Sequence, residues 1–147
     1  MKRILFLFLL GVLCLPVAAI AEPLEQVGSS VPGMSCELKK LYRKNGVLTA
    51  KWDIVTDESF SSSRYEFRFR KKDSSCSYAV DQEKGVKYFP LTDKEGTPLS
   101  SAGSMYLRSN KKFGMWMKMP APPAEVTSIS VVVTFCEPFD DIDITDK

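Results

Sequence analysis

The pair Asn45-Gly46, set between two runs that alternate apolar and polar residues, constrains the fold of this chain more than any other feature. An Asn-Gly pair suits a two-residue turn in which both central residues take positive φ, and such a turn twists in the sense that two antiparallel strands require. Ser35–Arg43 leads into it and Val47–Val55 leads out. On the second run Leu48, Ala50, Trp52 and Ile54 share one face while Thr49, Lys51 and Asp53 take the other. That is the period of two of a strand with one side buried, and it makes Trp52 an anchor of the core.

The same period returns in Arg64–Lys72, where Tyr65, Phe67 and Phe69 oppose Arg64, Glu66, Arg68 and Arg70: one face is aromatic and the other is mostly basic. Further short runs follow at Cys76–Asp81, Val86–Leu91, Met105–Arg108, Phe113–Met119, Thr127–Cys136 and Ile142–Thr145. A turn signal, Asp93-Lys94-Glu95-Gly96, lies between the second and third of these, and Pro120-Ala121-Pro122-Pro123 must be an extended connection because proline cannot donate to a sheet ladder. No segment carries a helical period, and there is no repeat. Many short alternating strands predict an all-β antiparallel sandwich of about seven to nine strands over 35–147, after a flexible lead-in over 22–34. A chain of this length buries roughly two thirds of its unfolded surface, so such a fold needs no metal and no dense disulfide set.

Residues 1–21 have the order of an export signal: Lys2 and Arg3, an apolar run from Ile4 to Leu15, the breaker Pro16, and Ala19-Ile20-Ala21 before Glu22. Cleavage is expected after Ala21, with a periplasmic or secreted bacterial product. The apolar run is short of the roughly 20 residues a spanning helix needs, so no transmembrane segment is expected. Acylation at Cys14 is disfavoured by Leu13, where a small residue is wanted. Loss of Lys2 and Arg3 from the 20 basic residues leaves 18 against 18 acidic ones, a net charge of zero. With that balance and export, nucleic acid is not an expected partner. Charge is nonetheless uneven, the middle of the chain being basic and both ends acidic. The chain contains no histidine, which removes serine–histidine and cysteine–histidine nucleophiles, histidine metal sites and the usual acid–base group near neutral pH.

Cys36, Cys76 and Cys136 remain after cleavage, and an oxidising compartment favours one bond among them. Their spacing does not say which. If every connection reverses direction, Cys36 and Cys136 fall at one end of the sandwich and Cys76 at the other, which favours Cys36–Cys136 and leaves Cys76 outside the bond, as a thiol or a link to a second chain.

Two stretches suggest binding chemistry. Arg64, Arg68, Arg70, Lys71 and Lys72, with Arg108, Lys111 and Lys112 as an extension, could hold phosphate or carboxylate groups of an envelope polymer or acidic protein; solvation and protection of a sheet edge are the ordinary uses of such a face. Met115, Met117 and Met119 alternate around Trp116, and soft thioethers suit Cu(I). Alternate Cα atoms on a strand are about 6.6 Å apart, so a single ion would need help from Met105 or Cys76, and methionines on one face more often fill a core. No metal or cofactor is therefore favoured. Ser109-Asn110-Lys111-Lys112 has serine-x-x-lysine spacing but lies between strands rather than opening a helix. Asp140, Asp141, Asp143 and Asp146 lack the glycine and terminal glutamate of a calcium loop and fit an acidic-faced last strand with Ile142 and Ile144.

The order Gly46-Val47-Leu48-Thr49, Lys87-Tyr88-Phe89-Pro90-Leu91-Thr92-Asp93, Gly96-Thr97-Pro98-Leu99, Met115-Trp116-Met117-Lys118-Met119-Pro120-Ala121-Pro122-Pro123, Val126-Thr127-Ser128-Ile129-Ser130-Val131 and Pro138-Phe139-Asp140-Asp141-Ile142 resembles the small exported immunoglobulin-like domains of bacterial envelope proteins. Some of those stand alone and others precede a peptidoglycan-binding domain, for which this chain has no room. The resemblance implies an immunoglobulin-like sandwich and says little of function. The combined expectation is a non-enzymatic interaction module, monomeric or weakly dimeric, that meets an envelope protein or anionic polymer through its basic strand face and loops, with a small-ligand or Cu(I) carrier as the alternative.

Overall fold

Asn45 and Gly46 take φ of 50° and 74°, the two positive values of the anticipated turn, and the strands they join are the longest among the described residues. These are β2 (Met34–Lys44) and β3 (Val47–Thr56). The computed structural model describes residues 22–69, 76–101 and 103–147. Leu38 lies opposite Trp52 and Leu41 opposite Ala50, and a bulge at Lys39 keeps both halves of β2 facing the core.

The remaining strands are β1 (Glu25–Gly28), β4 (Ser63–Phe67), β5 (Tyr78–Asp81), β6 (Val86–Tyr88), β7 (Gly103–Leu107), β8 (Lys112–Pro120), β9 (Ser128–Val132), β10 (Phe139–Asp143) and β11 (Thr145–Asp146). The first sheet has the order β1-β2-β3-β8, with β11 also beside β2. Against it lies a second layer made of β10-β9-β5-β6 and the separate pair β4-β7. The core between the layers joins Leu38, Leu48, Trp52, Ile54, Met117 and Met119 to Phe67, Phe69, Leu107, Ile129, Val131 and Phe139. Trp52 meets Phe69 across it at 6.3 Å between ring centroids. The described chain is thus all-β and sandwich-like, with no helix among the described residues.

Three features depart from the sequence reading. Eleven strands occur among the described residues, beyond the seven to nine anticipated. One extra strand is β1, inside the segment read as a flexible lead-in: Val27 pairs with Cys36, and the Leu24 amide donates to the Leu38 carbonyl at 2.7 Å. Backbone pairing, not apolar alternation, makes this strand. The other is β11, which runs parallel to β2 because the chain leaves β10 in the second layer and crosses to the first. The sandwich is therefore antiparallel except at that pair.

Arg43 secures the crossing. Its guanidinium donates to Asp146 (2.6 and 3.0 Å) and to the carbonyls of Pro122 (3.1 Å), Pro123 (2.7 Å) and Val126 (3.3 Å). The proline segment has no ladder of its own there, and Arg43 supplies donors for its carbonyls. Cys36 and Cys136 form a disulfide across 100 residues of sequence, the expected pair, but strand direction misplaced the third cysteine. Tyr78 pairs with Val132 and the Thr134 amide donates to Ser77 Oγ, so Cys76 lies at the Cys136 end of the sandwich and not at the other. Cys76 stands outside that bond and is 7% exposed.

Candidate functional site: a cleft beside strand β4

Alternation along β4 does what the sequence asks: Phe67 and Phe69 are buried, Tyr65 is half-buried, and Arg64, Glu66 and Arg68 are exposed. β4 pairs on one side with β7, bringing Arg64 opposite Tyr106 and Glu66 opposite Ser104. On its other side the ladder to β9 is missing. The Arg68 carbonyl bridges the gap, accepting from the Ser77 amide at 3.0 Å and from Thr134 Oγ1 at 3.4 Å, while Ser77 Oγ and Thr134 Oγ1 lie 3.2 Å apart.

Where the strands separate there is a cleft of about 570 Å³, within the several-hundred Å³ typical of ligand sites. Arg64, Glu66 and Arg68 line one wall, Tyr78, Val132 and Thr134 the other, with Ser30, Tyr65, Cys76 and Phe135 also bordering it. Arg68 is 3.9 Å from Glu66, a half-exposed pair of little energetic weight. Among the described residues no carboxylate lies within ion-pair distance of Arg64. Two guanidinium groups stand against one carboxylate, and serine, threonine and tyrosine residues complete the lining, so the described charged residues of the cleft carry a net positive charge.

Phe135 shapes one end. It holds φ of 72°, which a bulky residue adopts only when its surroundings compel it. Here they do. Its ring packs edge-on against Tyr65 and Phe67 at 5.5 and 5.6 Å, and its carbonyl accepts from Ser29 Oγ at 2.6 Å and the Ser30 amide at 3.0 Å. The disulfide at Cys136 follows immediately.

Of the basic residues singled out from sequence, Arg64 and Arg68 come together at this cleft, whereas Arg70, Lys71 and Lys72 lie outside the described residues, as does the segment 1–21 read as an export signal. Of the suggested extension, Lys112 does not join them: it is on the first sheet, where its Nζ contacts both Glu37 carboxylate oxygens at 2.9 and 3.0 Å. That bond from Lys112 holds the Glu37 carboxyl below its ordinary range. Met115, Met117 and Met119 are 2%, 0% and 0% exposed and face the core, opposite Trp52, Ala50 and Leu48 on β3. Ser30, Tyr78, Thr134 and Phe135 escaped the sequence reading as site residues. Only the outward phase of Thr134 in the Thr127–Cys136 run hinted at it.

The acidic tail builds no cage: among the described residues no three acidic or cysteine side chains gather as a metal would require. Asp140 and Asp141 are instead tied to the second layer, Asp140 through Gln82 Nε2 at 3.0 Å and Asp141 through its amide to Ser130 Oγ at 3.3 Å. Among the described residues no helix is long and apolar enough to cross a membrane. Compared with protein-family models, curated proteins and solved structures, the chain gives no match.

Proposed function

We propose that this chain is an exported, non-catalytic immunoglobulin-like module of the bacterial envelope that binds an anionic group, carried by a protein or a polymer, in the cleft beside β4. The observation that carries the reading is the pair Arg64 and Arg68 on one wall of a cleft whose only described acidic lining residue is Glu66. The left-handed Phe135 supports it, because backbone strain persists where surrounding contacts impose it and often marks a binding site. The Cys36–Cys136 bond accords with an oxidising compartment. The absence of histidine and the open character of the cleft favour recognition over covalent chemistry.

The reading is tested by R64E/R68E. Both side chains are exposed, so folding should be unchanged by circular dichroism and melting. Capture of envelope components by the immobilised protein should be lost. Undiminished capture by the variant would remove the cleft from the function.

A further inference from the structure

The outer face of the first sheet gathers charge in a way no single strand reveals. Antiparallel register sets Lys40 directly opposite Lys51, and Lys51 opposite Trp116. The next row is Tyr42, Thr49 and Lys118, with Lys44 beyond it. Like charges placed opposite each other destabilise a sheet. Asp53 shares this face with Lys51, but among the described residues no carboxylate lies within ion-pair distance of Lys40, Lys44, Lys51 or Lys118. Glu37 on the same face is already engaged by Lys39 and Lys112.

Trp116 lies among these lysines with 37% of its surface exposed, and Lys118 Nζ is 6.0 Å from its ring. Beside it, Tyr42, Val47, Leu91 and Leu99 line a shallow depression of about 330 Å³ with Lys44 and Lys118 among its lining residues. Asp140, Asp141 and Asp143 all lie on β10 in the second layer, away from this face.

We propose that this face docks on an anionic lipid bilayer. Register puts Lys40, Lys51, Lys118 and the exposed Trp116 on one side of a single sheet, where one headgroup plane can meet them together. Lysines near such a surface are attracted to its negative potential, and tryptophan favours the headgroup level. The apolar depression between two lysines can accept the upper part of one lipid, its phosphate meeting Lys44 and Lys118. The second layer, carrying the acidic strand and the β4 cleft, then faces away from the bilayer. This site is independent of the cleft.

The test is sedimentation of the purified chain with vesicles of phosphatidylcholine alone or with about one third phosphatidylglycerol, alongside soluble heparin. Binding should require phosphatidylglycerol and weaken as salt rises. K40Q/K51Q/K118Q should lower the partition coefficient by about 100-fold. R64Q/R68Q should bind vesicles like the unaltered chain, so that loss of cleft function leaves this result standing. Of the two tryptophans only Trp116 is exposed, Trp52 being 2% exposed, so brominated lipid should quench emission in the unaltered chain and not in W116F. Absence of vesicle binding, heparin binding without vesicle binding, or equal binding by the lysine variant would each overturn the proposal.

Discussion

Breaking the Cys36–Cys136 bond tests whether the sandwich depends on a covalent tie between β2 and the segment that joins β9 to β10. The bond closes a loop of 100 residues, for which chain-entropy reasoning gives about 4.7 kcal/mol at 25 °C, and native disulfides generally contribute about 2–5. Substitution by alanine adds a second effect. Cys36 is fully buried between β1 and β3, so C36A/C136A also leaves a small cavity, costing on the order of 1 kcal/mol. Reduction of the unaltered chain separates the two, because it cuts the bond and keeps both sulfurs. Guanidinium unfolding of the oxidised, reduced and doubly substituted proteins is the assay. The reduced protein should lose about 2–5 kcal/mol, a fall of about 10–20 °C in Tm for a domain of this size, and the variant somewhat more. A rise in m on reduction would show the unfolded chain expanding once released. A loss below about 1 kcal/mol on reduction, with m unchanged, would refute the argument that closure of this loop restrains the unfolded chain.

Replacing Arg43, whose side chain is 12% exposed, with methionine keeps its apolar stem and strips the proline-segment carbonyls of their donor, which should cost about 2–3 kcal/mol in chemical denaturation. Asp146→Asn should shift the midpoint far less, since Asp146 is 67% exposed. Gly33→Ala meets both a positive φ of 73° and the Phe60 backbone nitrogen 2.6 Å from the new Cβ, so it should lose at least about 2 kcal/mol; Gly85→Ala, with open space around it, should lose only about 1. Glu37 is held below its unfolded value of 4.5 and Lys112 above 10.5, each chiefly by their mutual hydrogen bond. Stability from the pair is thus full between those values, falls as acid protonates Glu37, and falls again as alkali strips Lys112. Glu37→Gln should flatten both limbs of the stability–pH profile, and an unchanged acid limb would mean that the pair contributes nothing.

Elements with strong alternation could be read before any coordinates. β3 and β8 show their inward and outward residues in plain order, and Met115, Met117 and Met119 fall in the core because they share a phase opposite Lys112, Trp116 and Lys118. β1 was not legible: four residues with one buried-side apolar group, Val27, carry no period, and the strand exists through its backbone partner. Nor was β11, since two residues cannot signal that a chain changes sheets. The basic face of β4 was visible as a face. That it borders a cleft was not, because the opposite wall comes from Tyr78, Val132 and Thr134, whose approach depends on where the ladder between β4 and β9 fails. The lysine face of the first sheet required register as well: Lys40, Lys51 and Lys118 sit on three strands, and their adjacency depends on the bulge at Lys39.

The central claim, that Arg64 and Arg68 make the β4 cleft an anion site, is met most directly by an amide NMR titration of the purified chain with tripolyphosphate as probe. The account predicts saturable shifts at Arg64, Arg68, Tyr78 and Thr134 that vanish in R64E/R68E. Shifts confined to other surfaces, or persisting at the cleft in that variant, would contradict it.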